Sequence, residues 1–188
     1  MLEGLSTLDD SRPMRHVILC DEQGNPKGTT SIEDAHRTPG QLHKAFSVVL
    51  FDEQRKQTLI QLWAQDKLFG GLWSNTCCSH PKEEENIIEA GQRRIKEECG
   101  FPCPPLRKLF SFTYKAEDPN GKGIEWEYDT ILVGNAIKEA PFKPNPKEVE
   151  SLKWTDVAQL MDNIQLAPEL YTPWFVQAIK HILATKND

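Results

Sequence analysis

Long apolar runs are missing from this sequence, and with them the material for a membrane-spanning helix. Residues 1–16 pair no basic stretch with a continuous apolar one, so nothing there reads as a secretory leader. Residues 1–15 are expected to form a flexible N-terminal arm and 16–188 a single domain. Basic blocks are also missing: 28 acidic against 22 basic residues give a net charge of -6. Such a surface does not track a nucleic-acid backbone. Cysteine is scarce, with five residues, an odd number, and no C-x-x-C pair among them, which argues against a disulfide framework and for reduced thiols in a cytoplasmic protein. Internal repeats, low-complexity runs and Gly/Ser linkers are absent too. The 188 residues therefore suit one ordinary domain with a core of its own.

What is present alternates between strand and helix patterns. Residues 16–20 form an apolar run ending in Gly24-Asn25-Pro26, the outline of a hairpin. Ala45 to Phe51 and Thr58 to Trp63 are β-rich runs around a short charged turn, and antiparallel pairing is expected. Residues 83–98 set Ile87, Ile88, Gly91 and Ile95 at helical spacing before Gly100 and Pro102. "LRKLFSFTYKA" and "IEWEYDTILVGNA" read as a second strand pair around "EDPNGKG". "VESLKWTDV" reads as a strand leading into a short helix, and a C-terminal helix has Pro173 in its first turn. The expected fold class is α/β (α+β), a mixed sheet and helices in one domain.

Residue types capable of chemistry cluster in several places. Glu125 and Glu127 stand two apart on a predicted strand, so both carboxylates leave one face and Trp126 and Tyr128 the other. His36 and His43 border a loop able to wrap, and "LWSNTCCSHP", 72–81, joins Cys77, Cys78 and His80 to a tryptophan. Imidazoles with carboxylates suit Mg²⁺, Mn²⁺ or Zn²⁺; spacing alone equally allows ordinary loop histidines and surface carboxylates. Arg94 and Glu98 share a helix face, either as a surface ion pair or as a phosphate-binding Arg beside an Mg²⁺ ligand. A structural zinc on His80, Cys77 and Cys78 is a further alternative. Cys20, in an apolar run, and Cys99, in the helical pattern, are read as core residues.

"RRIKEECGF" with Glu85 upstream resembles a degenerate Nudix box, in which Ser79 replaces the first Gly and Arg94 the Glu of the Arg-Glu pair. Further blocks narrow the resemblance: His36 to Phe51, "LWSNTCCSHP", "TYKA" at 113–116, "EWE" at 125–127 and "TPWF" at 172–175. In this order they are similar to type I isopentenyl-diphosphate Δ-isomerase, a branch of the Nudix superfamily, from about His16 to Trp174. The resemblance implies a Nudix-type sheet sandwiched between helices, and isomerisation of isopentenyl diphosphate to dimethylallyl diphosphate through a tertiary carbocation. It implies Cys78 as catalytic cysteine, and His36, His43, His80, Glu125 and Glu127 around one divalent metal. Glu98 would hold Mg²⁺ with the substrate diphosphate, Glu127 and Tyr114 would serve proton transfer, and Trp174 would face the cation.

The implied partner is a small-molecule prenyl diphosphate, with no nucleic acid or membrane, for a monomer or weak homodimer. The sequence departs from the family where basic residues normally grip the diphosphate. Ile32, Leu62 and Asp66 stand at three such positions and Gly70 replaces a Pro, while Arg94 matches the fourth. Lys67, one place beyond Asp66, is the expected substitute; Lys27 and Lys44 are weaker ones. Because diphosphate affinity depends on paired charge, two alternatives follow. One is an isomerase of a related prenyl diphosphate with an altered phosphate pocket; the other is a Nudix-fold hydrolase or binding module.

Overall fold

The computed structural model describes residues 15–185, so the expected N-terminal arm lies outside the described residues except for Arg15. Strands β1 (His16–Cys20) and β2 (Pro26–Ser31) form the first hairpin, and one helical turn, α1 (Ile32–His36), follows. The Ser31 hydroxyl caps that turn by accepting from the Asp34 N–H. His36 therefore ends a helix and His43 opens a strand, with only residues 37–42 left as loop.

Strands β3 (His43–Phe51) and β4 (Gln57–Trp63) pair antiparallel as their patterns suggest. Short strands β5 (Trp73–Ser74) and β6 (Cys77–Ser79) then lead to helix α2 (Ile87–Cys99). Periodicity placed that helix's start four residues early: Asn86 is the N-cap, its side chain accepting from Ile88 N–H. Residue 85 is instead spent outside the helix, where the Glu85 carboxylate takes the Lys82 N–H and the Arg93 guanidinium. Gly100 ends α2 in the left-handed region at φ 73°.

Strands β7 (Arg107–Glu117) and β8 (Ile124–Asn135) form the second long hairpin, followed by β9 (Val149–Asp156), α3 (Val157–Leu166), a short 3₁₀ turn (Pro168–Leu170) and α4 (Pro173–Ala184). All nine strands join one mixed sheet, in which β3 runs parallel to β8 and antiparallel to β4 and β6.

Strand alternation divides the core into two layers. Phe46, Val48 and Leu50 of β3 meet Ala90, Ile95 and Cys99 of α2 on one face. Val49 and Phe51 lie on the opposite face with Ile131 and Val133 of β8, under α3 and α4. Helix α4 contributes Trp174, Phe175, Ala178, Ile179 and Ile182, an apolar stripe at helical spacing. Phe175, Ile179 and Ile182 each contribute roughly 1.5–3 kcal/mol on burial. The sheet is thus sandwiched between helices.

On that second face the side chains change character along the strands. His43 and Ser47 precede Val49 and Phe51 on β3, while Glu125, Glu127 and Asp129 precede Ile131 and Val133 on β8. The polar end is a pocket floor and the apolar end a core.

Candidate active site

Sheet register assembles most of the site. Parallel pairing sets His43 beside Glu127, and antiparallel pairing sets Tyr114 of β7 beside the same glutamate. On the other edge of β3, Ser47 faces Cys78 of β6. A one-residue slip would turn these side chains to the wrong face.

His36 Nε2 lies 2.8 Å from Glu125 Oε2, and His80 Nε2 lies 2.9 Å from Glu127 Oε1. His43 Nδ1 donates to the Gln41 carbonyl at 2.7 Å, which turns its Nε2 inward, 3.1 Å from His80 Nε2. Potential ligand atoms from His36, His43, His80, Glu125 and Glu127 all fall within 4.8 Å of one another. Electron-pair donors gathered this closely suit a cation at their centre, so the five residues fit a divalent metal ion. Strand alternation and the His36-x₆-His43 spacing made each pair legible; only the fold brings all five together.

The electrostatics agree. Burial drives His80 down to about 4 despite the neighbouring Glu127 carboxylate, so its imidazole is neutral. Burial and then the Glu127 charge push Glu125 up to about 7, with His36 opposing them. Burial would raise Glu127 as well, but contacts with His43 and His80 hold it well below the usual carboxylate range. Burial pulls His36 down, and the Glu125 hydrogen bond and charge outweigh it, leaving His36 raised.

Cys78 lies at the boundary between polar floor and apolar core. Its thiol donates to Asn75 Oδ1 at 3.0 Å, receives the Trp174 Nε1–H at 3.0 Å, and lies 3.3 Å from Ser47 Oγ. Burial first, and the Asp129 carboxyl second, push the thiol above its ordinary range, so the sulfur keeps its proton. Across the pocket the Tyr114 hydroxyl donates to Glu127 Oε2 at 2.5 Å. Trp174 spans the two groups, its ring stacked on Tyr114 at 5.3 Å between centroids and walled by Phe69 at 5.0 Å. Ser47 and Asn75 escaped the sequence reading, since no spacing rule marks a neutral side chain that reaches a sulfur. Cys77 turns instead to the α2 layer with Phe46 and Val48. The zinc alternative is therefore not formed, and His80 is committed to the imidazole–carboxylate group.

A cavity of about 650 Å³ is lined by His36, Cys78 and Glu125 together with Lys67, Arg94 and Glu148. Glu98 is fully buried, takes Arg94 Nη2 on Oε1 and leaves Oε2 without a hydrogen-bond partner. An orphaned buried carboxylate oxygen is the feature an Mg²⁺ ligand would present. Lys67 Nζ lies 2.7 Å from Glu148 and 4.3 Å over the Trp63 ring. Lys27 pairs with Asp21 on the first hairpin, and Lys44 lines a different cavity with Lys82, so neither bounds this one.

This sheet-and-helix frame matches a NUDIX domain over residues 41–175. The same fold occurs in DR0079 from Deinococcus radiodurans, with TM-score 0.69 at 19% identity over 89% of this chain and 98% of that one. It also occurs in the NUDIX domain of Shewanella oneidensis NrtR, with TM-score 0.57 at 17% identity over 77% and 86% of the two chains. The chain belongs to the NUDIX family. Its sequence is 40% identical over 168 residues to the isopentenyl-diphosphate Delta-isomerase of Halorhodospira halophila, covering 89% of this chain and 94% of that protein. With the enzyme of the same name from Photobacterium profundum it shares 42% identity over 171 residues, covering 89% and 93%. Within the NUDIX family it is thus a member of the isopentenyl-diphosphate Delta-isomerases.

Proposed function

We propose that residues 16–188 form one catalytic unit that converts isopentenyl diphosphate into dimethylallyl diphosphate by adding a proton at C4 and removing one from C2. The observation that carries the reading is Trp174, whose N–H meets the Cys78 sulfur while its ring stacks on Tyr114, the partner of Glu127. Two proton-handling groups thus flank one aromatic surface, as a flat alkene attacked from both faces requires.

The resting states of these groups are complementary. Cys78 holds a proton, raised by burial and then by Asp129, while contacts with His43 and His80 outweigh burial and keep Glu127 ionised. In this reading Cys78 protonates C4, the tertiary cation at C3 lies against the indole face, and Glu127 takes the C2 proton. The Trp174 N–H then stabilises the thiolate, and the aromatic quadrupole the cation. The buried wall of Phe69, Tyr114 and Trp174 keeps water from trapping that cation.

His36, His43, His80, Glu125 and Glu127 would hold one Mn²⁺, Mg²⁺ or Zn²⁺, and Glu98 an Mg²⁺ shared with the substrate diphosphate. Such ions supply positive charge that keeps buried carboxylates ionised and screens the phosphates. Arg94 and Lys67 are the substrate-binding cations of this reading.

The test is an NMR time course of purified protein in D₂O with isopentenyl diphosphate and Mg²⁺ or Mn²⁺. Dimethylallyl product carrying deuterium is expected. Release of inorganic phosphate or pyrophosphate without isomer would overturn the reading in favour of a hydrolase.

A further inference from the structure

Ile32, Leu62 and Asp66 stand at three positions where the resemblance implies diphosphate-binding cations, yet the structure brings positive charge beside two of them. Ile32 N–H donates to the Arg15 carbonyl at 2.9 Å just beyond the end of the β1–β2 hairpin, so Arg15 is the backbone neighbour of the position that lacks its lysine. Arg15 and Ile32 line the same cavity as Lys67 and Arg94. Lys67 follows Asp66 directly, and its turn is clamped by Lys122, whose ammonium donates to the carbonyls of Gln65 and Lys67.

These cations share one focus. The Glu148 carboxylate lies 2.7 Å from Lys67, 3.4 Å from Arg94 and 3.9 Å from Arg15. Arg94 is also held by Glu97 at 2.8 Å and by Glu98, so Lys67 and Arg15 are the two cations that Glu148 alone answers, an arrangement that an oxyanion of higher charge fits better. Lys67 and Arg94 are largely enclosed, whereas the Arg15 side chain is 66% exposed and can reach toward an incoming anion. Glu33 and Asp66 also line the cavity as exposed carboxylates. Anion recognition therefore depends on the cations around Glu148 rather than on the cavity's overall charge.

We infer that Arg15, Lys67 and Arg94 form a relocated diphosphate cradle around Glu148, with Arg15 supplying the charge missing at position 32. The inference rests on the function proposed above and adds Arg15 as a substrate-binding residue.

Relocation makes a demand that general electrostatics does not: moving the charge back should repair its loss. The experiment uses the full chain with Mg²⁺ and compares wild type, Arg15→Ala, and Arg15→Ala combined with Ile32→Lys. Two readouts are taken, calorimetric titration with inorganic pyrophosphate and steady-state kinetics with isopentenyl diphosphate. Loss of one charged partner from an exposed side chain should raise both Kd and KM about five- to tenfold, the change falling on KM rather than kcat. Ile32→Lys should recover most of it. If Arg15→Ala leaves Kd and KM within about twofold, or wild type binds no pyrophosphate, the cradle is wrong. Wild type that binds pyrophosphate through Arg15 but makes no isomer would overturn the proposed function and leave the cradle standing. Isomerisation untouched by Arg15→Ala would do the reverse.

Discussion

At the residue scale, Cys78 differs from the other cysteines in what its sulfur touches. Removing it should cost about 10²–10⁴-fold in turnover, the usual range for a positioned acid or base. Cys78→Ala should leave metal binding intact, because the sulfur's hydrogen bonds go to Ser47, Asn75 and Trp174 rather than to the five ligand-type residues. Activity assays beside a metal titration check both halves. Asn75 is the more fragile neighbour: its amide donates to the carbonyls of Val48 and Cys77 inside the protein. Asn75→Ala strands both acceptors and should destabilise by about 1–3 kcal/mol, readable by urea unfolding. The proton on Glu125 sets a pH dependence. Raised to about 7 by burial and then by Glu127, this carboxyl must lose its proton to ligate. Metal affinity should therefore fall as pH drops below about 7, approaching tenfold per unit for one proton. Calorimetry in buffers of different ionisation enthalpy would detect that proton; its absence would remove Glu125 from the ligand set.

At the element scale, the C-terminus of α2 ties the fold to the cation focus. A Cβ on Gly100 would run into the Lys143 carbonyl oxygen, and φ there is 73°. That close approach lets Lys143 N–H reach the Cys99 carbonyl and Asn145 N–H the Glu98 carbonyl, after which Glu148 N–H closes on Asn145. Gly100→Ala should therefore lose more than the roughly 1–2 kcal/mol of left-handed strain, because backbone must also move. Its thermal midpoint should fall and its KM should rise, since the shifted segment carries Glu148. A KM equal to wild type in the folded variant would show that Glu148 is positioned from elsewhere.

At the scale of the whole molecule, the site straddles the junction where one sheet face turns from polar to apolar. Three imidazoles and two carboxylates are packed together there. A bound metal should consequently stabilise the whole domain. At a hundred times Kd the linkage gain is about 2.7 kcal/mol, which for a domain of this size raises Tm by about 5–10 °C. Differential scanning calorimetry of chelated against Mn²⁺-loaded protein measures it, and equal midpoints would deny the cluster its role. The described helices include none long and apolar enough to cross a membrane.

The sequence by itself determined the elements and the residue types of the chemistry, because both depend on short-range spacing. Alternation put Glu125 and Glu127 on one face, helical spacing joined Arg94 to Glu98, and the strand pairs followed from runs bounded by turns. Where local signals competed, as at the start of α2, the boundary shifted by four residues because Glu85 found better partners outside the helix. Only the tertiary structure decided that Cys78 meets Trp174, that Tyr114 meets Glu127, and that Arg15 and Glu148 join one charge focus. Those contacts span the chain and depend on parallel and antiparallel register, which sequence spacing does not encode. A missing lysine is visible in one dimension; the arginine beside it becomes visible only after the strands have paired.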